Sequence, residues 1–168
     1  MTLFADRVPS PVGTVLLVSD GESLCALDYE GFEARMERLL RARFGEVRTV
    51  EADDPQGFSG CVRAYFAGRL DALDGVPVST GGTAFQCRVW AALREIPAGR
   101  TVTYGEIAAR LAKPSASRAV GYANSLNPVA IAVPCHRVIG GNRSLTGYAG
   151  GLERKRWLLG HEGAMLAV

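Results

Sequence analysis

Cysteine and histidine, two residue types suited to nucleophilic and base chemistry near neutral pH, stand side by side once in this chain. They are Cys135 and His136, within the run Ile131-Ala132-Val133-Pro134-Cys135-His136-Arg137-Val138-Ile139-Gly140. A thiol is a poor nucleophile until it loses its proton, and at an ordinary pKa of about 8.5 only a small fraction has done so near neutrality. The neighbouring imidazole is the candidate base. The apolar residues leading into Pro134 predict a buried strand stopped by the proline, which sets Cys135 where a packed scaffold meets a pocket. Adjacent side chains on an extended chain point to opposite sides, so a proton passing from Cys135 to His136 needs a bridging water or a turn at Pro134. Alone, the dipeptide equally fits a small buried hydrophobe beside a structural histidine.

The rest of the chain limits the alternatives. Its 168 residues suffice for one large domain or two small ones, and 48% hydrophobic with 21% charged residues is a globular composition. No apolar run reaches the roughly 20 residues that cross a bilayer, and Met1–Val8 lacks the features of a leader, so a cytoplasmic protein is expected. The four cysteines, Cys25, Cys61, Cys87 and Cys135, have no paired spacing, and the only histidines are His136 and His161. Neither a disulfide framework nor a metal site is indicated, and no cofactor is expected. Charge is uneven: residues 1–83 carry a net −5 and residues 84–168 a net +7. A basic half joined to an acidic one suggests that the basic half meets a polyanion.

Periodicity predicts an α/β N-terminal domain over residues 1–79, a small sheet with helices. Gly13–Ser19 and Ser23–Tyr29 form a hairpin around Asp20-Gly21, with an edge strand at best before Pro9 and Pro11. Phe32, Met36, Leu39, Leu40 and Phe44 mark one face of a helix ended by Gly45, with arginines opposite. A strand at 47–50 follows. Asp53-Asp54-Pro55 opens a second helix burying Cys61, Val62, Tyr65 and Phe66, and a last strand is expected within 75–79.

After the joint Thr80-Gly81-Gly82, residues 80–168 form a mostly α C-terminal domain. A helix over 83–95 buries Phe85, Val89, Trp90 and Leu93, and Thr103 with Glu106 is a capping box opening a helix to about Leu111. A break at Lys113-Pro114 and a second short helix over 115–125 make a helix-turn-helix. Ala116, Ser117, Ala119, Gly121 and Ala123 give that second helix a nearly bare face. Such a face suits close approach to a narrow minor groove, or equally close helix packing, and Arg118 favours a duplex.

Several motifs in order resemble the O6-alkylguanine-DNA alkyltransferase family. They are Tyr104-Gly105-Glu106, Arg118-Ala119-Val120-Gly121, Asn127-Pro128, Pro134-Cys135-His136-Arg137-Val138, Thr146-Gly147-Tyr148 and His161-Glu162-Gly163. The resemblance covers roughly residues 80–163; the N-terminal half matches only in its coarse α/β pattern. It implies direct-reversal DNA repair, in which a helix-turn-helix binds duplex DNA in the minor groove and an O6-alkylated guanine is flipped outward. The alkyl group then passes irreversibly to a cysteine, once per molecule. Double-stranded DNA is the implied partner, with the protein a monomer in solution and cooperative assembly on DNA left open.

Carried onto this chain, the resemblance makes Cys135 the acceptor and His136 its base through a water, oriented by Glu162. Asn127 would hold the turn, and Tyr104 would meet guanine N3. The carbonyls of Cys135 and Val138 would accept from the exocyclic amine, Tyr148 would wall the pocket and the Ala149 amide would meet O6. Arg118 would fill the space left by the flipped base, on a DNA face shared with Ala116, Ser117, Ala119, Gly121, Ala123 and Ser125. The chain departs from some relatives in lacking N-terminal histidines for a structural zinc and in having Ser125 where a basic residue occurs. Small Ala130 and Ala149 leave room for groups bulkier than methyl. Two rival readings are a lesion-binding module without transfer, against which the retained Cys135 argues, and a cysteine hydrolase, which would need an oxyanion hole and turnover.

Overall fold

The computed structural model of the protein describes residues 1–164. The chain forms two compact units, one of residues 1–81 with 128–132, the other of residues 82–127 and those from Val133 onward. The division falls within the glycine joint, and the short return of 128–132 to the first unit has no counterpart in the expected linear order.

In the first unit, β1 (Thr2–Val8), β2 (Val15–Ser19), β3 (Leu24–Tyr29) and β4 (Arg48–Glu51) form one sheet in the order β3-β2-β1-β4. β1 is an inner strand, antiparallel to β2 and parallel to β4, not the edge strand expected from Pro9 and Pro11. The prolines follow Val8, so they end the strand without removing a ladder donor from it. β2 and β3 are buried at every position. The expected strand at 75–79 is a single bridge from Val78 to Leu24, and a second bridge joins Val129 to Leu27. Leu24 and Leu27 donate to the carbonyls of Pro77 and Pro128 at 2.9 and 3.0 Å, so two short segments cover an edge otherwise open to pairing.

Helix α1 (Glu33–Phe44) packs Met36, Leu40 and Phe44 on Leu3, Val18, Cys25 and Ala26. It ends at Gly45, whose φ of 70° is costly for other residues. Its arginines are not all solvated. Arg35 pairs with Asp28 at 2.9 Å and Arg43 donates to the Cys25 carbonyl at 2.9 Å. The second helix begins later than expected, with a 3-10 turn at Pro55–Gly57 before α2 (Phe58–Phe66). Phe58, Ser59, Val62 and Tyr65 are its buried positions, whereas Cys61 and Phe66 are half-buried.

The second unit holds α3 (Ala84–Arg94), β5 (Val102–Thr103), α4 (Tyr104–Arg110), α5 (Ser117–Ser125), β6 (Val138–Ile139) and α6 (Leu152–His161). Capping boxes form at both expected helix starts, Thr83 with Gln86 and Thr103 with Glu106. Phe85 is half-buried rather than core, and Lys113 Nζ lies 5.4 Å from its ring centre. α4 and α5 form the helix pair, and α3 braces it through Trp90 Nε1, which donates to the Ala123 carbonyl at 2.9 Å. β5 and β6 pair in parallel, Val102 opposite Val138. Among the described residues no helix is long and apolar enough to cross a membrane.

The turn between α4 and α5 carries a strained residue. Lys113 N–H bonds the Ala108 carbonyl and Ala112 N–H the Ala109 carbonyl, a Schellman closure with Ala112 at φ 58°. A side chain there costs about 1–2 kcal/mol relative to glycine. Ala112→Gly is therefore expected to raise stability by about 0.5–1 kcal/mol in denaturant unfolding, net of the freer unfolded chain. A loss of stability would contradict the strain.

Candidate active site

The apolar run before Cys135 is buried as expected, but it is not a strand. Ile131 has φ 69°, Ala132 N–H bonds the Ala130 carbonyl and Cys135 N–H bonds the Val133 carbonyl, both at 2.8 Å. These are tight three-residue turns. Cys135–Arg137 then form one turn of 3-10 helix before β6. Every residue from Asn127 to Gly140 is buried, so carbonyls that no ladder satisfies need side-chain donors. Asn127 Nδ2 donates to Val133 O at 2.7 Å and Asn124 Nδ2 to Cys135 O at 3.3 Å. The composition that suggests a strand here reflects burial without pairing.

The 3-10 turn separates the directions of three consecutive side chains, and His136 and Arg137 converge on Glu162 at the end of α6. Nε2 of His136 lies 2.8 Å from Glu162 Oε2. Arg137 donates from Nε to Oε1 at 2.8 Å and from Nη2 to Oε2 at 2.9 Å, and its Nη1 reaches the Ile96 carbonyl at 2.6 Å. All three residues are buried. Burial opposes ionisation of Glu162, but the hydrogen bonds from His136 and Arg137 overcome it and hold the carboxyl well below the usual carboxylate range. An ionised Oε2 must accept, so His136 carries its proton on Nε2. Burial keeps the imidazole below its ordinary pKa despite Glu162, because Arg137 already compensates the carboxylate charge. Nδ1 is then an unprotonated lone pair, buried and without a hydrogen bond from the described protein atoms. This is the atom of His136 that can take a proton.

Helix α6 supplies a second buried charge. Lys155, fully buried, donates from Nζ to Val138 O and Thr146 O at 2.6 Å and to Gly147 O at 3.2 Å. It ties β6 to the loop before Tyr148. Burial pushes its pKa down to about 8, while the charge of an ionised Cys135 acts in the opposite sense. Lys155, Leu158, Leu159 and Glu162 fall at i, i+3, i+4 and i+7, one face of α6. A lysine and a glutamate on the apolar stripe were the available sequence signal for Lys155; for Arg137 it was a charged residue in an apolar run, and for Asn124 there was none.

The remaining expected residues separate into two groups. Tyr104 begins α4, half-buried, and a methyl built on Gly121 would meet its ring at 3.8 Å. Tyr148 is half-buried and Ala149 exposed in the loop after β6. On α5, Arg118, Ala119 and Ser125 are exposed, and Ala116 and Ser117 half-buried. Ala123 is 1% exposed and faces the core with Val120 and Asn124, so it does not belong to an outer DNA face. The bare positions were spread around the helix, because 119, 121 and 123 do not share one side at 3.6 residues per turn. Gly121 faces Tyr104. Tyr122, absent from the expected DNA face, is exposed in their place. The Cys135 carbonyl also accepts from Val138 N–H as well as Asn124, so a guanine amine could bond it only by displacing Asn124.

Of the other thiols, Cys61 is half-buried and Cys87 exposed. Cys25 is buried, donates to Val18 O at 3.2 Å and is pushed by burial up to about 11. His161 stacks on Trp157 with ring centres 4.7 Å apart. Among the described residues no cluster of three or more His, Cys, Asp or Glu could hold a metal. A cavity of about 640 Å³ in the first unit, lined by Asp6, Arg7, Glu33, Met36, Glu51 and Asp53 among others, has no cysteine or histidine in its lining. Removing one partner of the buried cluster strands the others. Glu162→Gln is expected to lower unfolding free energy by about 3–5 kcal/mol, and Arg137→Met added to it to restore part of the loss. An unchanged denaturation midpoint would contradict the pairing.

Known proteins match the chain across both units. Residues 5–80 match the ribonuclease-like domain of 6-O-methylguanine DNA methyltransferase, and residues 84–164 match that protein's DNA binding domain. The chain is 47% identical over 169 residues to the methylated-DNA–protein-cysteine methyltransferase of Salmonella typhimurium, covering 99% of both. The Mycobacterium tuberculosis protein of the same name is 48% identical over 155 residues, 90% of this chain and 87% of that one. A crystal structure of Mycobacterium tuberculosis OGT in complex with DNA superposes with a TM-score of 0.79 at 40% identity, covering 97% of this chain and 93% of the other. On these matches across both units, the chain belongs to the 6-O-methylguanine DNA methyltransferase family.

Proposed function

We propose that this protein repairs O6-alkylguanine in duplex DNA by taking the alkyl group onto Cys135 Sγ, irreversibly and once per molecule. The observation that carries the reading is His136 held by Glu162 with Nδ1 as its only basic atom, one residue from the acceptor thiol. His136 draws the proton from Cys135 through a water. The thiolate attacks the O-alkyl carbon, the S–C bond forms as C–O6 breaks, and the electron pair leaves on the guanine. Tyr104, at the start of α4, gives its hydroxyl proton to N3 and is reprotonated through solvent by the proton that His136 took up, so the net result moves one proton from thiol to guanine. The product is a thioether, which offers water no carbonyl to attack, and the molecule is finished.

Access to a base inside a duplex requires flipping it out, at a few kcal/mol. Arg118 on α5 occupies the space left behind, with Ala116, Ser117, Ala119 and Ser125 approaching the minor groove closely and Gly121 behind them against Tyr104. The Val138 carbonyl accepts from the exocyclic amine, Tyr148 walls the pocket and the Ala149 amide meets O6. Asn127 holds the turn. The protein acts as a monomer, and the excess of basic residues after Thr83 supplies the salt-dependent part of its affinity for DNA.

Incubation with duplex DNA containing O6-methylguanine is expected to add one methyl to the peptide carrying Cys135, and Cys135→Ser to abolish it. Methyl on Cys61 or Cys87, or lasting binding to the lesion without any mass change, would refute the proposal. The pH dependence has a definite sign. The active form of His136 is neutral, and burial lowers its pKa from the ordinary value of about 6.5. The single-turnover rate should therefore hold through pH 6.5 and fall only below it. His136→Ala should cut the rate by about 10²–10⁴-fold, the usual contribution of a positioned base, without changing DNA affinity. A fall centred above pH 6.5, or an equal loss of binding, would show that His136 does not act as this base.

A further inference from the structure

Three large hydrophobic side chains are exposed among the described residues: Met1 at the chain end, Leu152 at the start of α6, and Tyr122 in the middle of α5 at 66%. Tyr122 stands apart in its surroundings. Val120, Ala123 and Asn124 turn inward from α5, which leaves Arg118, Ala119, Tyr122 and Ser125 as its exposed stripe, at i, i+1, i+4 and i+7. Ala119 is a methyl group. Ser125 turns its Oγ back to the Tyr122 carbonyl at 2.6 Å. Only Arg118 and Tyr122 reach out from this face, one a cation and the other an apolar ring with a hydroxyl at its tip.

The face carries the charge of a nucleic-acid surface. From Ile107 to Leu152 the sequence has no aspartate or glutamate and five basic residues, of which Arg110, Lys113 and Arg118 are exposed on the α4–α5 pair or its turn. Lone surface aromatics are common, but one placed beside a cation on α5, a helix that carries no acidic residue, is suited to a polyanion that also offers flat, apolar sugar and base surfaces. A short aromatic wedge in a minor groove can also help to open a base step.

We infer that Tyr122 is a DNA-contacting residue whose ring packs on a sugar or base of the duplex, adding affinity that salt does not screen. The inference rests on the duplex-DNA reading above and extends it by one residue and one kind of contact. It separates the work of α5 into two parts. Arg118 contributes by charge, with a share of the salt dependence, and Tyr122 contributes by contact, with none.

The test measures affinity for a short duplex as a function of salt for the full-length protein, Tyr122→Ala, Tyr122→Phe and Arg118→Ala. Transfer from free O6-benzylguanine base is measured alongside. Tyr122→Ala is expected to weaken duplex binding by about 5- to 100-fold, the range for loss of a stacked aromatic, with an unchanged salt slope. Tyr122→Phe should bind within about twofold of the parent, since its ring keeps the stacking surface. Arg118→Ala should reduce the salt slope by about one phosphate. Reaction with the free base should be the same for Tyr122→Ala and the parent, which also shows that the variant is folded. If the parent neither binds nor repairs duplex DNA, the underlying reading fails and this one with it. If the parent repairs duplex DNA and Tyr122→Ala binds as well or more tightly, or loses affinity with a reduced salt slope, this inference alone is overturned.

Discussion

One buried carboxylate governs the second unit. Glu162 sits at the end of α6 and gives both oxygens to Arg137 and one of them also to His136, two residues that follow Cys135 in a single 3-10 turn. Leaving such a charge unpaired in the interior costs several kcal/mol, so the three groups hold one another in a fixed arrangement. Arg137 neutralises the carboxylate and leaves the imidazole neutral, with its tautomer set by the bond at Nε2. Its third contact, to the Ile96 carbonyl, ties the same cluster to the end of α3. Position, protonation state and direction of the candidate base all follow from this arrangement.

The segment bearing Cys135 is irregular backbone in a dry interior, and its solution is to borrow donors. Asn127 and Asn124 satisfy the carbonyls of Val133 and Cys135, and Lys155 satisfies those of Val138, Thr146 and Gly147. α5 therefore has two tasks. Its inner face holds the Cys135 turn through Asn124, and its outer face carries Arg118 and Tyr122. A helix with long side chains on every side could not pack this closely on α4 and α3, which accounts for Gly121 against Tyr104 and Ala123 beneath Trp90.

Much of this was legible from local rules, because local rules produced it. The capping boxes at Thr83 and Thr103 are side-chain chemistry over three residues, and the hairpin of β2 and β3 follows two short, largely apolar runs on either side of the Asp20-Gly21 turn. The motif residues from Tyr104 to Glu162 carried the family. What escaped had a long-range cause. Ile131–Val133 is apolar because it is buried, and nothing local distinguishes a buried turn held by Asn127 from a buried strand. Ala123 and Ala119 look alike in sequence and differ only in which neighbour covers them. The prolines that argue against β1 lie beyond its last paired residue, and the pairing of Arg137 with Glu162 spans 25 positions.

The central claim is that His136 is neutral at working pH, protonated on Nε2 toward Glu162 and basic at Nδ1. Nitrogen-15 NMR of the imidazole side chains in the full-length protein reads this directly. The account predicts a protonated, pyrrole-type Nε2 and an unprotonated, pyridine-type Nδ1 for His136, persisting below pH 6.5. A proton on Nδ1, or an imidazolium at neutral pH, would contradict it.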